Sequence, residues 1–170
     1  MSDGSPVVAP LSRADLHEVV AIERAQFDDP WSMRTLREEL EDPSRRYTKA
    51  VANGVLAGYC GMMLIDAEAH INTIATAPHM EGRGVATALL LEGIRAVVTA
   101  GVRDLTLEVA SRNLRAQRLY ERFGFAPVGI RRGYYQRSRD DAIVMWVRDA
   151  HAPSFSARLD AIEEQGRVRR

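Results

Sequence analysis

The chain is expected to fold as a mixed α/β sheet with helices on both faces. Apolar residues switch between helical and strand spacing along the sequence, which gives the order β-α-α-β-β-β-α-β-α-β-β, with one strand ahead of the first helix. Asn53-Gly54 joins two apolar runs, and that dipeptide favours a type I′ hairpin turn. Residues 74–88 run from a strand, through a turn holding Gly82 and Gly84, directly into an apolar helix.

Ser12 and Asp15 have capping-box spacing and open a helix with Leu16, Val19, Val20 and Ala21 at helical period. It runs to about Phe27, where Asp28-Asp29-Pro30 breaks it. Ser32 caps a second helix through Leu36 and Leu40, closed by Asp42-Pro43. Strands are expected over residues 47–52, 55–64 and 71–77. Leu89, Leu90, Ile94 and Val97 then mark a helix that Gly101 terminates. A strand over 105–109, a helix over 113–123 and strands over 128–135 and 142–147 complete the pattern.

No internal repeat is present. After Asp149-Ala150, Pro153 introduces Phe155, Leu159 and Ile162 at i, i+4, i+7, the spacing of a short amphipathic helix ending at Gly166. Arg167, Arg169 and Arg170 follow as a basic tail. Residues 1–150 are therefore read as one domain and 151–170 as a tail that either stays solvated or docks on its own domain or a partner.

A chain of 170 residues with 46% hydrophobic content fits one domain with a sizeable core. Its 23 basic and 23 acidic side chains cancel, so no global basic field recommends nucleic acid as a partner. Cys60 is the single cysteine, which excludes an intrachain disulfide, and its apolar flanks suggest a buried, inert thiol. The residues before Val7 are polar and no apolar run approaches eighteen residues. A cytoplasmic protein without membrane contact is expected. His17, His70, His79 and His151 are too widely spaced for a local metal motif, so no metal is expected.

The glycines at residues 82 and 84 let backbone N–H groups crowd around an anion, and the helix N-terminus behind them adds about half a positive charge. The pattern is that of a phosphate seat. A Walker loop requires Gly-Lys-Ser/Thr, whereas Val85 and Ala86 follow Gly84. A dinucleotide fingerprint fits loosely, but Thr87 stands at its third glycine position, and its acid should end a strand, whereas Glu108 lies within one. A structural turn without a ligand is the remaining alternative.

Glu81-Gly82-Arg83-Gly84-Val85-Ala86, Leu107-Glu108-Val109, Asn113, Ala116, Tyr120, Gly124-Phe125 and Arg131-Arg132-Gly133-Tyr134-Tyr135 together resemble the Gcn5-related N-acetyltransferase (GNAT) superfamily. They are similar in particular to its RimI-type branch, the bacterial ribosomal-protein-alanine N-acetyltransferases. The resemblance spans roughly residues 7–147 and is strongest over 74–135. It implies acetyl-CoA as the acetyl donor, bound by Ile74, Ala75, Thr76, Glu81, Gly82, Arg83, Gly84, Val85, Ala86 and Asn113. Glu81 departs from the family's usual Gln or Arg, an acid beside a pyrophosphate that Arg83 offsets.

Strand alternation places Thr106 and Glu108 on the face opposite Leu105, Leu107 and Val109. The resemblance makes Glu108 a general base acting through water, against the plainer reading of an exposed or arginine-paired acid. Tyr120 shares a helix face with Ala116 and Phe123, as a core aromatic would. The resemblance instead aims its hydroxyl at the coenzyme sulfur as general acid. Asn113 suits an N-cap and the pantetheine amides alike. Tyr134 and Tyr135 line the implied peptide groove, and Trp31, after Asp29-Pro30, matches an element near the acceptor entrance. Sheet packing and an interhelical anchor are the respective alternatives for these aromatics.

The expected function is direct acetyl transfer to a protein N-terminal amine, the alanine of a small-subunit ribosomal protein. An α-amine of pKa near 7.8 costs about 1 kcal/mol to deprotonate at pH 7, a lysine near 10.4 about 4.6, so a relayed carboxylate suits the former. No Cys or Ser sits in a nucleophile setting, so no covalent enzyme intermediate is expected. Transfer to protein lysines or a small-molecule amine, and a non-catalytic acyl-CoA-binding module, are the alternatives. The oligomeric state stays open.

Overall fold

The computed structural model describes residues 4–168. Arg169 and Arg170 of the basic tail lie outside the described residues. The elements follow the expected order: β1 (Val7–Pro10), α1 (Leu16–Gln26), α2 (Met33–Glu41), β2 (Arg45–Ala52), β3 (Val55–Ile65), β4 (Glu68–Thr76), α3 (Val85–Thr99), β5 (Asp104–Ala110), α4 (Leu114–Arg122), β6 (Ala126–Tyr135) and β7 (Asp140–Val147). A fifth helix, α5 (Pro153–Val168), follows them.

The strands hydrogen-bond in the order β1-β2-β3-β4-β5-β7-β6. The β4–β5 pair is parallel and crosses over through α3, while β1–β2, β2–β3, β5–β7 and β6–β7 are antiparallel. The sheet is therefore mixed. The chain divides into two compact units, one comprising the chain up to Leu64 with Asn72–Arg95, the other Ile65–Ile71 with the chain from Ala96 onward.

In the first unit the Asp15 carboxylate accepts the Ser12 N–H at 2.7 Å, but the opening turn over Arg13–Asp15 is 3-10, and α1 begins only at Leu16. Ser32 caps α2 by accepting the Thr35 N–H at 3.1 Å. Asn53 and Gly54 have φ of 53° and 76°, both positive as a type I′ turn requires. Gly58 of β3 passes so close to β4 and to the start of α3 that a Cβ there would stand 2.6 Å from the Ala75 carbonyl oxygen and 2.8 Å from the Val85 side chain. Only glycine lets strand and helix start approach like this. Cys60 is buried, and burial pushes its thiol up to about 12.

In the second unit α3 ends in a Schellman motif: Gly101 has φ 106°, its N–H bonds the Val98 carbonyl, and the Val102 N–H bonds that of Val97, both at 3.0 Å. Leu105, Leu107 and Val109 of β5 are buried with Phe123, Phe125 and Met145. Thr106 is buried too, its hydroxyl donating to the Met145 carbonyl at 3.1 Å, so the second face of β5 is not solvent-exposed. Phe155, Leu159 and Ile162 of α5 are buried, and Arg158 donates to the Arg122 carbonyl at 3.2 Å. Gly166 does not end this helix. It lacks the positive φ of a terminating glycine, and α5 continues to Val168. No helix among the described residues is long and apolar enough to cross a membrane.

Candidate active site

In the first unit β4 ends at Thr76, a single 3-10 turn over Pro78–Met80 follows, and the chain reaches α3 through residues 81–84. Gly82 and Gly84 have φ of 74° and 78°, and a Cβ on either would meet nothing within 4 Å. The turn thus opens onto free space. The Gly84 carbonyl accepts the Ala88 N–H at 2.9 Å, which starts the helical ladder. By helical geometry, the amides of Val85, Ala86 and Thr87 then have no acceptor within α3. Exposed glycines, unengaged amides and the positive end of a fifteen-residue helix fit a pyrophosphate.

Glu81 is engaged from the side. The Gln26 side-chain amide, at the end of α1, donates to the Glu81 carboxylate at 2.8 Å and to the Thr76 carbonyl at 2.7 Å. Along β4, Ala75 is buried while Ile74 and Thr76 are half-buried, as alternation requires. Arg83 is exposed.

Trp31 lies half-buried between α1 and α2, and its backbone N–H donates to Glu23 at 2.9 Å. Glu23 is 2% exposed, hydrogen-bonded also by the Tyr59 hydroxyl. Burial pushes its carboxyl above the usual carboxylate range, with the Trp31 amide pulling the other way. Sequence reasoning missed this residue. The signal was available, because Leu16, Val19, Ile22 and Glu23 form the buried stripe of α1, where an acid is out of place.

In the second unit Glu108 sits inside β5 with its side chain 11% exposed. One carboxylate oxygen lies 2.5 Å from His70 Nε2, the other 3.5 Å from an Arg131 nitrogen. The arginine pair weighed from sequence is thus present, whereas the exposed face is not. His70 was missed as a site residue. It lies within β4, whose parallel register sets it opposite Thr106 and Ile71 opposite Leu107, so His70 and Glu108 are diagonal neighbours.

Asn113 caps α4 by accepting the Ala116 N–H at 3.1 Å. Tyr120, on that helix, is 6% exposed and meets Phe125 edge-on at 6.0 Å between ring centroids. Tyr134 and Tyr135 meet edge-on at 5.2 Å, and the Arg131 guanidinium stands 5.7 Å from the Tyr134 ring. Tyr134 is exposed and Tyr135 half-buried, on a strand exposed along almost its whole length. The Tyr135 hydroxyl is pushed up to about 12, by burial first and then by the charges of Tyr134, Glu108 and Asp140. Among the described residues no group of three or more His, Cys, Asp or Glu could hold a metal ion.

Residues 16–125 match the acetyltransferase (GNAT) family. The chain belongs to that family. It is an N-acetyltransferase, similar over most of its length to proteins whose acceptors are named. A putative ribosomal protein bS18-alanine N-acetyltransferase from Bacillus subtilis is 37% identical over 134 residues, covering 78% of this chain and 89% of the relative. The N-alpha-acetyltransferase RimI of Mycobacterium tuberculosis is 36% identical over 160 residues, 90% of this chain and 99% of that protein. The crystal structure of the Escherichia coli ribosomal-protein-S18-alanine N-acetyltransferase superposes with a TM-score of 0.79 at 31% identity, covering 85% of this acetyltransferase and 94% of the other.

Proposed function

We propose that this acetyltransferase moves acetyl from acetyl-CoA to a protein N-terminal α-amine, the N-terminal alanine of a small-subunit ribosomal protein being the expected acceptor. The observation that carries the reading is the naming of relatives 33–37% identical, matched over most of both lengths, as ribosomal protein bS18-alanine N-acetyltransferases. A ribosomal acceptor implies action in the cytoplasm.

The side chains support the same chemistry. The amides at the start of α3, opened by Gly82 and Gly84, hold the pyrophosphate, and Ile74, Ala75, Thr76 and Asn113 are assigned to the coenzyme as well. Glu108 promotes removal of the amine proton. Tyr120 protonates the departing thiolate, since a phenol near 10 sits close enough to a thiol near 8.5 to share the proton. Trp31, Tyr134 and Tyr135 contact the acceptor peptide. An α-amine is about 3.5 kcal/mol easier to deprotonate than a lysine, which favours it as the acceptor.

Tandem mass spectrometry locates the acetyl group. A peptide beginning with alanine and carrying an internal lysine should gain acetyl on the α-amine alone. Acetyl found mainly on lysine, or transfer only to a free polyamine, would overturn the acceptor while leaving the family standing.

A further inference from the structure

We propose that His70 and Glu108 act as one proton-accepting dyad, in which the imidazole receives the acceptor amine's proton at Nδ1 and Glu108 holds the ring for that task. The inference refines the α-amine reading above and rests on it.

His70 Nε2 and one Glu108 carboxylate oxygen lie 2.5 Å apart, within hydrogen-bonding distance. If His70 Nε2 presented a lone pair to an ionised carboxylate the contact would be repulsive, so Nε2–H donates to Glu108. That tautomer leaves Nδ1 as the basic nitrogen. The other carboxylate oxygen faces Arg131, and the Tyr135 hydroxyl feels the same negative charge. Arg131 faces the carboxylate from the side away from the ring, and the hydrogen bond from Nε2–H to that carboxylate fixes the tautomer and orientation of the imidazole. His70 is also the more exposed partner, at 27% against 11%, which gives the proton an exit to solvent.

The match of acidities points the same way. An ordinary α-ammonium near 7.8 lies about 3.5 units above an ordinary carboxylate and about 1.3 above an ordinary imidazole, so transfer is uphill by roughly 3,000-fold in the first case and 20-fold in the second. A base nearer the operating pH is the better general base. The step balances as follows. The ammonium gives one proton to His70 Nδ1 and on to solvent, the neutral amine nitrogen forms the N–C bond to the acetyl carbon, the C–S bond breaks as Tyr120 protonates the thiolate, and the second proton, shed by the nitrogen as it becomes an amide, restores the Tyr120 hydroxyl through solvent.

His70→Gln keeps an N–H for Glu108 but cannot take a proton, and His70→Ala removes the ring. Both should lose about 10²–10⁴-fold in kcat/KM while binding acetyl-CoA unchanged by calorimetry. Added imidazole should restore part of the His70→Ala turnover, and substituted imidazoles should follow their basicity. Nitrogen NMR of the wild-type protein should find His70 protonated at Nε2, a preference lost in Glu108→Gln. Wild-type turnover by His70→Gln, absence of imidazole rescue, or an Nδ1–H tautomer each overturns the dyad. Wild type that acetylates no α-amine overturns the functional reading instead, and the NMR readout stands apart from that outcome.

Discussion

At the scale of single residues, Glu23 shows how one buried acid orders a segment that carries no regular structure. Its carboxylate gathers the Trp31 N–H and the Tyr59 hydroxyl, so helix α1, strand β3 and the loop before α2 share one anchor. Glu23→Ala leaves both donors unpaired, and an unsatisfied buried donor costs about 1–3 kcal/mol, which thermal unfolding should show. Glu23→Gln tests the electrostatics. An acid raised above its unfolded value contributes stability that is complete below the ordinary carboxylate range and is lost as pH rises through the raised value. A permanently neutral amide escapes that loss. The Tm difference, Gln minus wild type, should therefore grow from pH 4 to pH 8; a flat difference would mean that burial does not perturb this carboxyl. Glu108, Tyr120 and Asn113 could be singled out from the sequence because each sits at a fixed offset in a dense local motif. The place of Glu23 in the apolar stripe of α1 was legible too, but its pairing and that of His70 were not, because their partners lie 36 and 38 residues away, and only the folded chain brings them together.

At the scale of elements, the glycine turn before α3 joins conformation to binding. Gly84 lies in the left-handed region with open space around it, so Gly84→Val meets no neighbour in the folded protein. It carries a backbone cost of about 1–2 kcal/mol and fills the volume assigned to the pyrophosphate. Calorimetry should find coenzyme affinity sharply reduced while circular dichroism stays that of wild type; unchanged affinity would move the phosphate seat elsewhere. Most elements were readable because their ends carry chemistry: Asn53-Gly54, Gly101 and the Ser32 cap all behave as their types dictate. The start of β4 was not. It begins at Glu68 rather than residue 71, because the preceding turn uses Asp66 at φ 52° and Ala67 instead of a glycine or proline. Those three residues concealed His70.

At the scale of the whole molecule, the segment after Ala150 is an integral part of its unit. Phe155, Leu159 and Ile162 each bury a side chain for which burial provides about 1.5–3 kcal/mol, and Arg122 adds a hydrogen bond to Gln165 at 3.0 Å. Deleting residues 151–170 should lower Tm by well over the few degrees a single surface substitution produces; an unchanged Tm would make the segment a dispensable appendage. The i, i+4, i+7 spacing announced a helix but not its partner, since an apolar stripe reads the same whether it faces its own domain or another protein.

The buried cysteine carries a further consequence. On the proposed reading, each turnover releases a molecule bearing a free thiol, and once that thiol has been oxidised to its disulfide it exchanges with accessible protein cysteines to give mixed disulfides. Cys60 is 1% exposed, and a thiol near 12 leaves only about one part in 10⁵ as thiolate at pH 7. The protein thus offers its own product no sulfur to react with, and its activity should be indifferent to the oxidised coenzyme that accumulates under oxidative stress.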